Sequence, residues 1–266
     1  MHTRAIALAL LTALGSARAQ DASAPPLFTR NDAVWAAAVL AGSIALSRAD
    51  VHIIGVWTDS SNHTPGRDRL ARNFAKLQEG TLTVGNLALW GVGRLTGSHS
   101  LAHVTFHAAE AVFVGSVAAQ LIRGPLGRSR PYHTDYTDQY DFHPFKGFGN
   151  FKYRAFPSIH TTSAFAVATV YTLEAQRRSR AAGWVVGPIA YAIAAGPGLA
   201  RIYNGQHWAS DVLAGAFLGS LAGAKVVKYN HDVAPNNRVN RFFLGARNVQ
   251  LGMGDGELSA RYATSF

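Results

Sequence analysis

The chain of 266 residues contains no cysteine. That excludes disulfides, a lipid anchor on a cysteine and any zinc site built on thiolates, so stability must come from packing. Charge is also scarce: 15% of residues are Asp, Glu, Lys or Arg, while 48% are hydrophobic, a poor endowment for an ordinary soluble domain. The composition leans towards a membrane or membrane-adjacent protein. Acidic residues are the scarcer sign, 15 against 25 Lys and Arg, so an anionic membrane surface or an anionic substrate is the expected partner. Nucleic acid is not expected, because the basic residues are scattered instead of striped along one face.

What is present divides the chain. The first twenty residues, MHTRAIALALLTALGSARAQ, join Arg4 to an apolar run from Ala5 to Leu14 and small residues at Ala17 and Ala19. Residues 1–19 thus read as a secretory signal peptide, since the run is short of the ~20 residues a bilayer span needs. Export to the periplasm, or to the periplasmic face of a membrane, follows as an expectation. Without Arg4 and Arg18, 23 basic residues still face 15 acidic ones. Residues 20–32 form a proline-containing linker. A helical domain is expected over 33–230, with apolar segments at 33–47, 76–96, 99–122, 161–178, 183–200 and 209–228. The predicted fold is all-α, a bundle of about six helices. One domain suffices for this length.

Several features qualify the bundle. The segment 181–200 has the length to cross a bilayer, but Pro188, Gly196 and Pro197 are expected to break it. His99, His103, His107 and Glu110 would be costly facing lipid, so a peripheral or partly embedded bundle is favoured. Gly215, Gly219 and Gly223 fall on one helical face, as suits close helix contact in a membrane or in a soluble core. The tail, 231–266, alternates at Val249, Leu251 and Met253, then at Leu258, Ala260 and Tyr262 around Gly254-Asp255-Gly256, which predicts a β-hairpin. The loop PYHTDYTDQYDFHPFKGFGNFKYRA, 131–155, is long enough to suggest function. Its Asp135, Asp138 and Asp141 lack the ligand alternation of a calcium loop, and no metal is expected there.

Three clusters carry chemistry. In RGPLGRSRP, Arg123, Arg128 and Arg130 follow a helix, and arginine binds phosphate through paired donors that stay charged. In RAFPSIHTTSAF, Ser158 is placed to cap a helix whose free amides form an anion site, with His160 in the first turn beside it. In ARIYNGQHWASD, His207 and Asp211 stand four apart, on one face of the helix expected after Asn204-Gly205. A carboxylate at that spacing fixes the imidazole tautomer and leaves Nε2 a lone pair, and Arg201 lies just upstream. Together these supply what phosphoryl transfer needs: cations and helix amides for the oxygens, one histidine to attack and one to protonate.

The three clusters resemble the type 2 phosphatidic acid phosphatase family, which shares its fold and anion site with bacterial acid phosphatases and vanadium-dependent haloperoxidases. That family's pattern is Lys, six residues, Arg-Pro; then Pro-Ser-Gly-His; then Ser-Arg, five residues, His, three residues, Asp. Here it is matched by Arg123 with Arg130-Pro131, by Pro157-Ser158-Ile159-His160, and by Ala200-Arg201 with His207 and Asp211. The resemblance implies that His207 attacks phosphorus to form a phosphohistidine, Asp211 orients it, and His160 protonates the leaving oxygen and later activates water. It implies that Arg123, Arg130, Arg201, Ser158 and the amide of Ile159 hold the phosphoryl oxygens, with no metal and no cofactor. The expected substrate is a phosphorylated lipid or a small phosphate ester.

Three positions depart from the pattern. Arg123 stands for Lys, which keeps charge but forks it. Ala200 stands for Ser and loses a hydroxyl. Ile159 stands for Gly: if that position needs positive φ or close backbone approach, a β-branched residue distorts the site, and if it is already helical nothing is lost. A catalytically weakened phosphate- or lipid-phosphate-binding protein, a soluble non-specific acid phosphatase and a vanadate-dependent haloperoxidase are the competing readings.

Overall fold

The computed structural model describes residues 24–245 and, for the backbone alone, residues 247–254 and 257–264. The expected signal peptide lies outside the described residues. Among them the helices are α1 (Arg30–Ser47), α2 (Asp50–Thr58), α3 (Pro65–Ala75), α4 (Glu79–Leu95), α5 (His99–Leu126), α6 (Ile159–Arg178), α7 (Arg180–Tyr203), α8 (Ala209–Lys228) and α9 (Arg238–Phe243). The fold is all-α, as expected from the apolar segments.

Local chemistry sets the starts. Thr29 and Asp32 form a reciprocal capping box on α1, and Thr64 accepts from Arg67 N ahead of Pro65 on α3. Ser98 and Ser179 cap α5 and α7 through the amides of Leu101 and Ala182. Each cap satisfies a helix-terminal N–H that would otherwise lack a partner.

Helices α2 and α3 lie outside the six expected segments. The first has only nine residues, and the second is polar and buries only Ala71, so neither carries an apolar stripe that marks it in sequence. Helix α7 runs unbroken through Pro188 and Pro197, against the expectation that these residues would end it. Each proline removes one backbone hydrogen bond at a cost of ~3 kcal/mol. Packing of α7 along α6 and α3 offsets that loss.

Helix α6 is the centre, packed against α5, α7 and α8. Ala108 and Ala111 of α5, Ala166 and Val170 of α6, and Val226 and Val227 of α8 form one shared core cluster. The glycine stripe of α8 is an interface with α6. A Cβ on Gly215 would lie 2.5 Å from the Ser158 carbonyl oxygen, and one on Gly219 would lie 2.1 Å from that of Thr162. Only hydrogen fits there, so α8 seats directly on the first turn of α6.

The outer surface is apolar. Trp35, Val84, Leu95, Leu121, Trp184 and Val185 are each more than half exposed, on several helices at once. Three helical segments are long and apolar enough to cross a membrane, His99–Leu126, Arg180–Tyr203 and Ala209–Val233, and α1 with α2 makes a fourth if that pair, bent by 62°, is one span. Its surface and its helix lengths are those of a membrane-associated protein. Of the polar side chains of α5, His107 is buried within the bundle and Glu110 accepts from Asn230, while His103 is half-buried and the exposed His99 stands at the first residue of the helix.

The loop 131–155 is tied down along its length. Ser129 N donates to Asp141 O, Arg130 N to Lys152 O and Ala155 N to Arg128 O, with single 3-10 turns at Pro131–His133, Lys146–Phe148 and Phe151–Tyr153. In the tail, the backbone of β1 (Arg247–Gly254) pairs antiparallel with β2 (Glu257–Thr264), Val249 opposite Tyr262.

Candidate active site

The end of α5, the start of α6 and the α7–α8 turn meet at one end of the bundle. Arg123 lies in the last turn of α5, and its Nε donates to Gln120. Arg130, seven residues on, is buried and held at every nitrogen. Nε donates to Phe151 O, and NH2 donates to Arg154 O. NH1 donates to Gln206 O and lies 3.3 Å from His207 Nε2. Its guanidinium also stacks 3.9 Å from the Phe151 ring centroid, a cation–π contact that fixes its plane. Arg201, in the last turn of α7, donates from NH2 to Gln206 Oε1, which also accepts from Arg130 at 3.4 Å. Gln206 thus spaces two like charges.

His207 does not lie on the helix with Asp211, as the spacing suggested. Helix α8 begins at Ala209, and His207 belongs to the turn before it, its N–H bonded to Arg201 O. The turn depends on Gly205, which has φ +63°. Asp211 is the third residue of α8, and its Oδ2 accepts from Trp208 N at 2.8 Å while standing 3.4 Å from His207 Nδ1. One carboxylate oxygen therefore both caps the helix and faces the imidazole. With Arg130 donating towards Nε2, the proton belongs on Nδ1, which leaves Nε2 its lone pair.

His160 occupies the first turn of α6, and Ser158 is the residue before the helix. Ser158 makes no side-chain cap, contrary to expectation: its Oγ accepts from Thr161 Oγ1, and its N–H donates to Asp211 O. The amides of the first turn therefore remain without a side-chain acceptor, as an anion site requires. Ile159 is the first helical residue and is buried. The described non-glycine residues with positive φ are Asp135, Tyr136 and Phe145, so position 159 needs no glycine, and Ile159 keeps its N–H in helical geometry. Ile159→Gly is expected to cost about 3 kcal/mol of stability through lost burial and added chain entropy, with no gain in turnover. A large rise in kcat in a steady-state assay would contradict this. Ala200 packs its methyl against Ala71 and Tyr203.

Electrostatics match the geometry. Burial first, then Arg201, Arg130 and Arg123, pushes the pKa of His160 down to about 3. Burial, then Arg130 and Arg201, also holds His207 well below the ordinary imidazole range. Burial, then Arg201, lowers Arg130 to about 9. Both histidines are neutral at pH 7, and among the described residues no carboxylate lies in ion-pair contact with Arg123, Arg130 or Arg201 beside them.

Sequence reasoning grouped Arg128 with the phosphate arginines, but the structure gives it another task. It is 3% exposed; NH1 donates to Asp211 Oδ1 at 2.6 Å and to Ser210 Oγ, and NH2 donates to Asp50 Oδ2 at 2.9 Å. Asp50 of α2 in turn accepts from Ser210 N and Ser210 Oγ. Asp50, Ser210 and Gln206 had no signal in sequence, because each matters through a contact with residues far along the chain.

A profile of the PAP2 superfamily matches residues 100–234. A lipid A 1-phosphatase of Porphyromonas gingivalis is 48% identical over 71 residues, 26% of this chain and 15% of that protein. Lipid A 1-phosphatases of Rhizobium johnstonii and Rhizobium etli are each 35% identical over 41% of this chain, and 40% and 42% of their own lengths. The chain thus spans well under half of these curated relatives. Among solved structures, Aquifex aeolicus LpxE superposes with a TM-score of 0.51 at 23% identity, covering 68% of this chain and 95% of that one. A transmembrane PAP2-type phosphatidylglycerolphosphate phosphatase of Bacillus subtilis gives 0.54 at 18% identity, covering 76% and 98%. These two likenesses establish the fold. The profile covers half of the chain and encloses every residue of the three clusters, and so the chain belongs to the PAP2 superfamily.

Proposed function

We propose that the chain is an exported phosphatase that hydrolyses lipid phosphates through a phosphohistidine on His207. The observation that carries this is the convergence of His207, His160, Arg130 and Arg201 at one end of the bundle, where His160 Nδ1 and Arg201 Nε are buried without a partner. Buried polar atoms without partners are costly, and a phosphoryl group would satisfy Arg201 Nε directly and His160 Nδ1 once the imidazole is protonated. In the first step His207 Nε2 attacks phosphorus, the ester P–O bond breaks, and His160, protonated as the substrate phosphate offsets the arginine charge, gives that proton to the leaving oxygen. In the second, His160 takes a proton from water, water attacks phosphorus, the N–P bond breaks and phosphate leaves. Arg123, Arg130, Arg201 and the α6 amides hold the equatorial oxygens, so this chemistry asks no metal for charge stabilisation.

A lipid phosphate fits better than a soluble ester because the surroundings are apolar. Tyr140, Phe145 and Phe151 of the loop are each more than half exposed. Beside Arg128 and Ser210 lies a groove of ≈ 340 Å³ lined by Leu40, Ile44, Leu126, Tyr140, Phe142 and Phe156. The relatives' names point to lipid A phosphate as the first substrate to try. In a panel on purified protein in lipid nanodiscs, a lipid phosphate should exceed a soluble aryl phosphate in kcat/KM by at least about tenfold, through remote binding energy. Equal or better use of the soluble ester would overturn the lipid assignment.

The neutral histidines set the pH dependence. Their pKa values are lower folded than unfolded, so between the unfolded value near 6.5 and the folded one the unfolded chain binds more protons. Stability should be complete above about pH 6.5 and fall as pH drops, by at most about 1.4 kcal/mol per pH unit for each histidine. A bound phosphate would cancel the arginine field and raise His160, so binding should take up a proton. Calorimetry of orthophosphate binding in buffers of different ionisation enthalpy checks this. No proton uptake, or the same uptake in His160→Asn, would remove His160 as the acid.

A further inference from the structure

The geometry points to a divalent transition-metal site, of the kind that takes Zn²⁺, formed by His107 of α5, Glu174 of α6 and His231 in the π-helical turn Tyr229–Val233 that follows α8. His107 Nδ1 and His231 Nε2 each lie 2.8 Å from Glu174 Oε1, and the three ligand atoms fall within 4.8 Å of one another. Two imidazoles and a carboxylate are a complete three-ligand set for zinc, with a fourth position left for water. His107 and Glu174 are buried, whereas the His231 side chain is 26% exposed, which provides an entry path and room for that water. Among the described residues, three metal-ligating side chains converge here alone.

Two further observations favour an ion over a plain hydrogen-bonded triad. One is the π-turn itself: a single wide turn at the end of an α-helix is uncommon and clusters at functional sites, and this one carries His231. The other is the cost of the ion-free arrangement. With both imidazoles facing one carboxylate oxygen, each must donate a proton to it, and His107 Nε2 is then a buried acceptor with no partner. Metal would replace both donated protons and turn Nε2 from an acceptor into an N–H, in a pocket where the His103 ring packs edge-on with its centroid 5.9 Å from that of His107. Bonds of 2.0–2.1 Å in a tetrahedral site place ligand atoms about 3.3 Å apart, so the 2.8 Å contacts need open by only about half an ångström. Around the site, Glu110 is engaged by Asn230, and Asp232 by Arg177, so neither neighbouring carboxylate competes.

The site lies far from the phosphate end. His107 precedes Arg123 by sixteen residues of α5, about 24 Å at 1.5 Å per residue. Its effect is therefore to tie α5, α6 and the exit from α8 together.

The test uses the full-length protein in nanodiscs, stripped with a chelator, dialysed and titrated with Zn²⁺ against a chromophoric competitor. Wild type should bind one Zn²⁺ per chain and melt higher with it, and Co²⁺ in its place should show the visible bands of a tetrahedral site. Glu174→Gln keeps an acceptor for both imidazoles but is a poor ligand, and His231→Ala removes the exposed ligand. Each should weaken binding by more than the ~10–100-fold that loss of an outer partner costs. His207→Ala should bind as wild type, which separates this site from the catalytic histidines. If His231→Ala fails to fold, Glu174→Gln alone decides. Binding of less than one equivalent by wild type, or equal affinity in Glu174→Gln, would overturn the assignment.

Discussion

On the proposed mechanism His207→Ala should lower phosphate release by at least about 10⁴-fold, because removal of a covalent nucleophile leaves only binding and electrostatic assistance, and losses of up to ~10⁶ are known when such a residue is deleted. The position offers no substitute. His207 is wholly buried and framed by Arg130 on one side and Asp211 on the other. No hydroxyl or carboxylate of the α7–α8 turn occupies the same place. Rapid quench with radiolabelled substrate should trap acid-labile, base-stable phosphate on the wild-type protein and none on the variant. His160→Ala should behave differently: its loss should be severe for an alkyl phosphate and mild for an aryl phosphate, whose leaving oxygen needs no proton. Full turnover in His207→Ala would sink the mechanism, whereas loss of turnover with label still trapped would move the nucleophile to another residue.

Arg128→Ala should destabilise the protein by roughly 3–5 kcal/mol, the range for removing one partner of a buried ion pair. Two carboxylates depend on it. Asp50 and Asp211 are both fully buried, and Arg128 is the described cation in contact with each. Without it, two like charges share a site in which only neutral donors remain, Ser210 on Asp50 and the Trp208 amide on Asp211. Turnover should fall as well, since Asp211 would lose the contact that holds Oδ1 while Oδ2 faces His207. Denaturant unfolding in detergent measures the first effect, and kcat at saturating substrate measures the second. The double variant Arg128→Ala with Asp50→Ala should lose less than the two single changes together, because removing both partners relieves the unpaired charge. Unchanged stability in Arg128→Ala would show that the buried triad carries no energy.

The sequence by itself determined which residues could carry the proposed chemistry and most of the helices. Residue type and short spacing decide which groups can carry charge, attack or protonate, and an apolar stripe of helical length declares itself without a partner. Arg130, His160, Arg201 and His207 were therefore legible as a set, as were α1 and α4 to α8, while the short α2 and the polar α3 lacked such a stripe. Only the tertiary structure decided what each residue touches. Arg128 stood in the basic cluster as one more cation for a phosphate until Asp50, 78 residues away, was placed against it. The stretch through Pro188 and Pro197 read as broken because the compensating contacts with α3 and α6 are not local. Ile159 illustrates the division most simply. Its identity raised the doubt in sequence, and one backbone conformation, helical from its first residue, removed the reason a glycine would be needed there. Conformation at a single residue is set by the packing of α8 onto the first turn of α6, a contact between segments some fifty residues apart that no local pattern encodes.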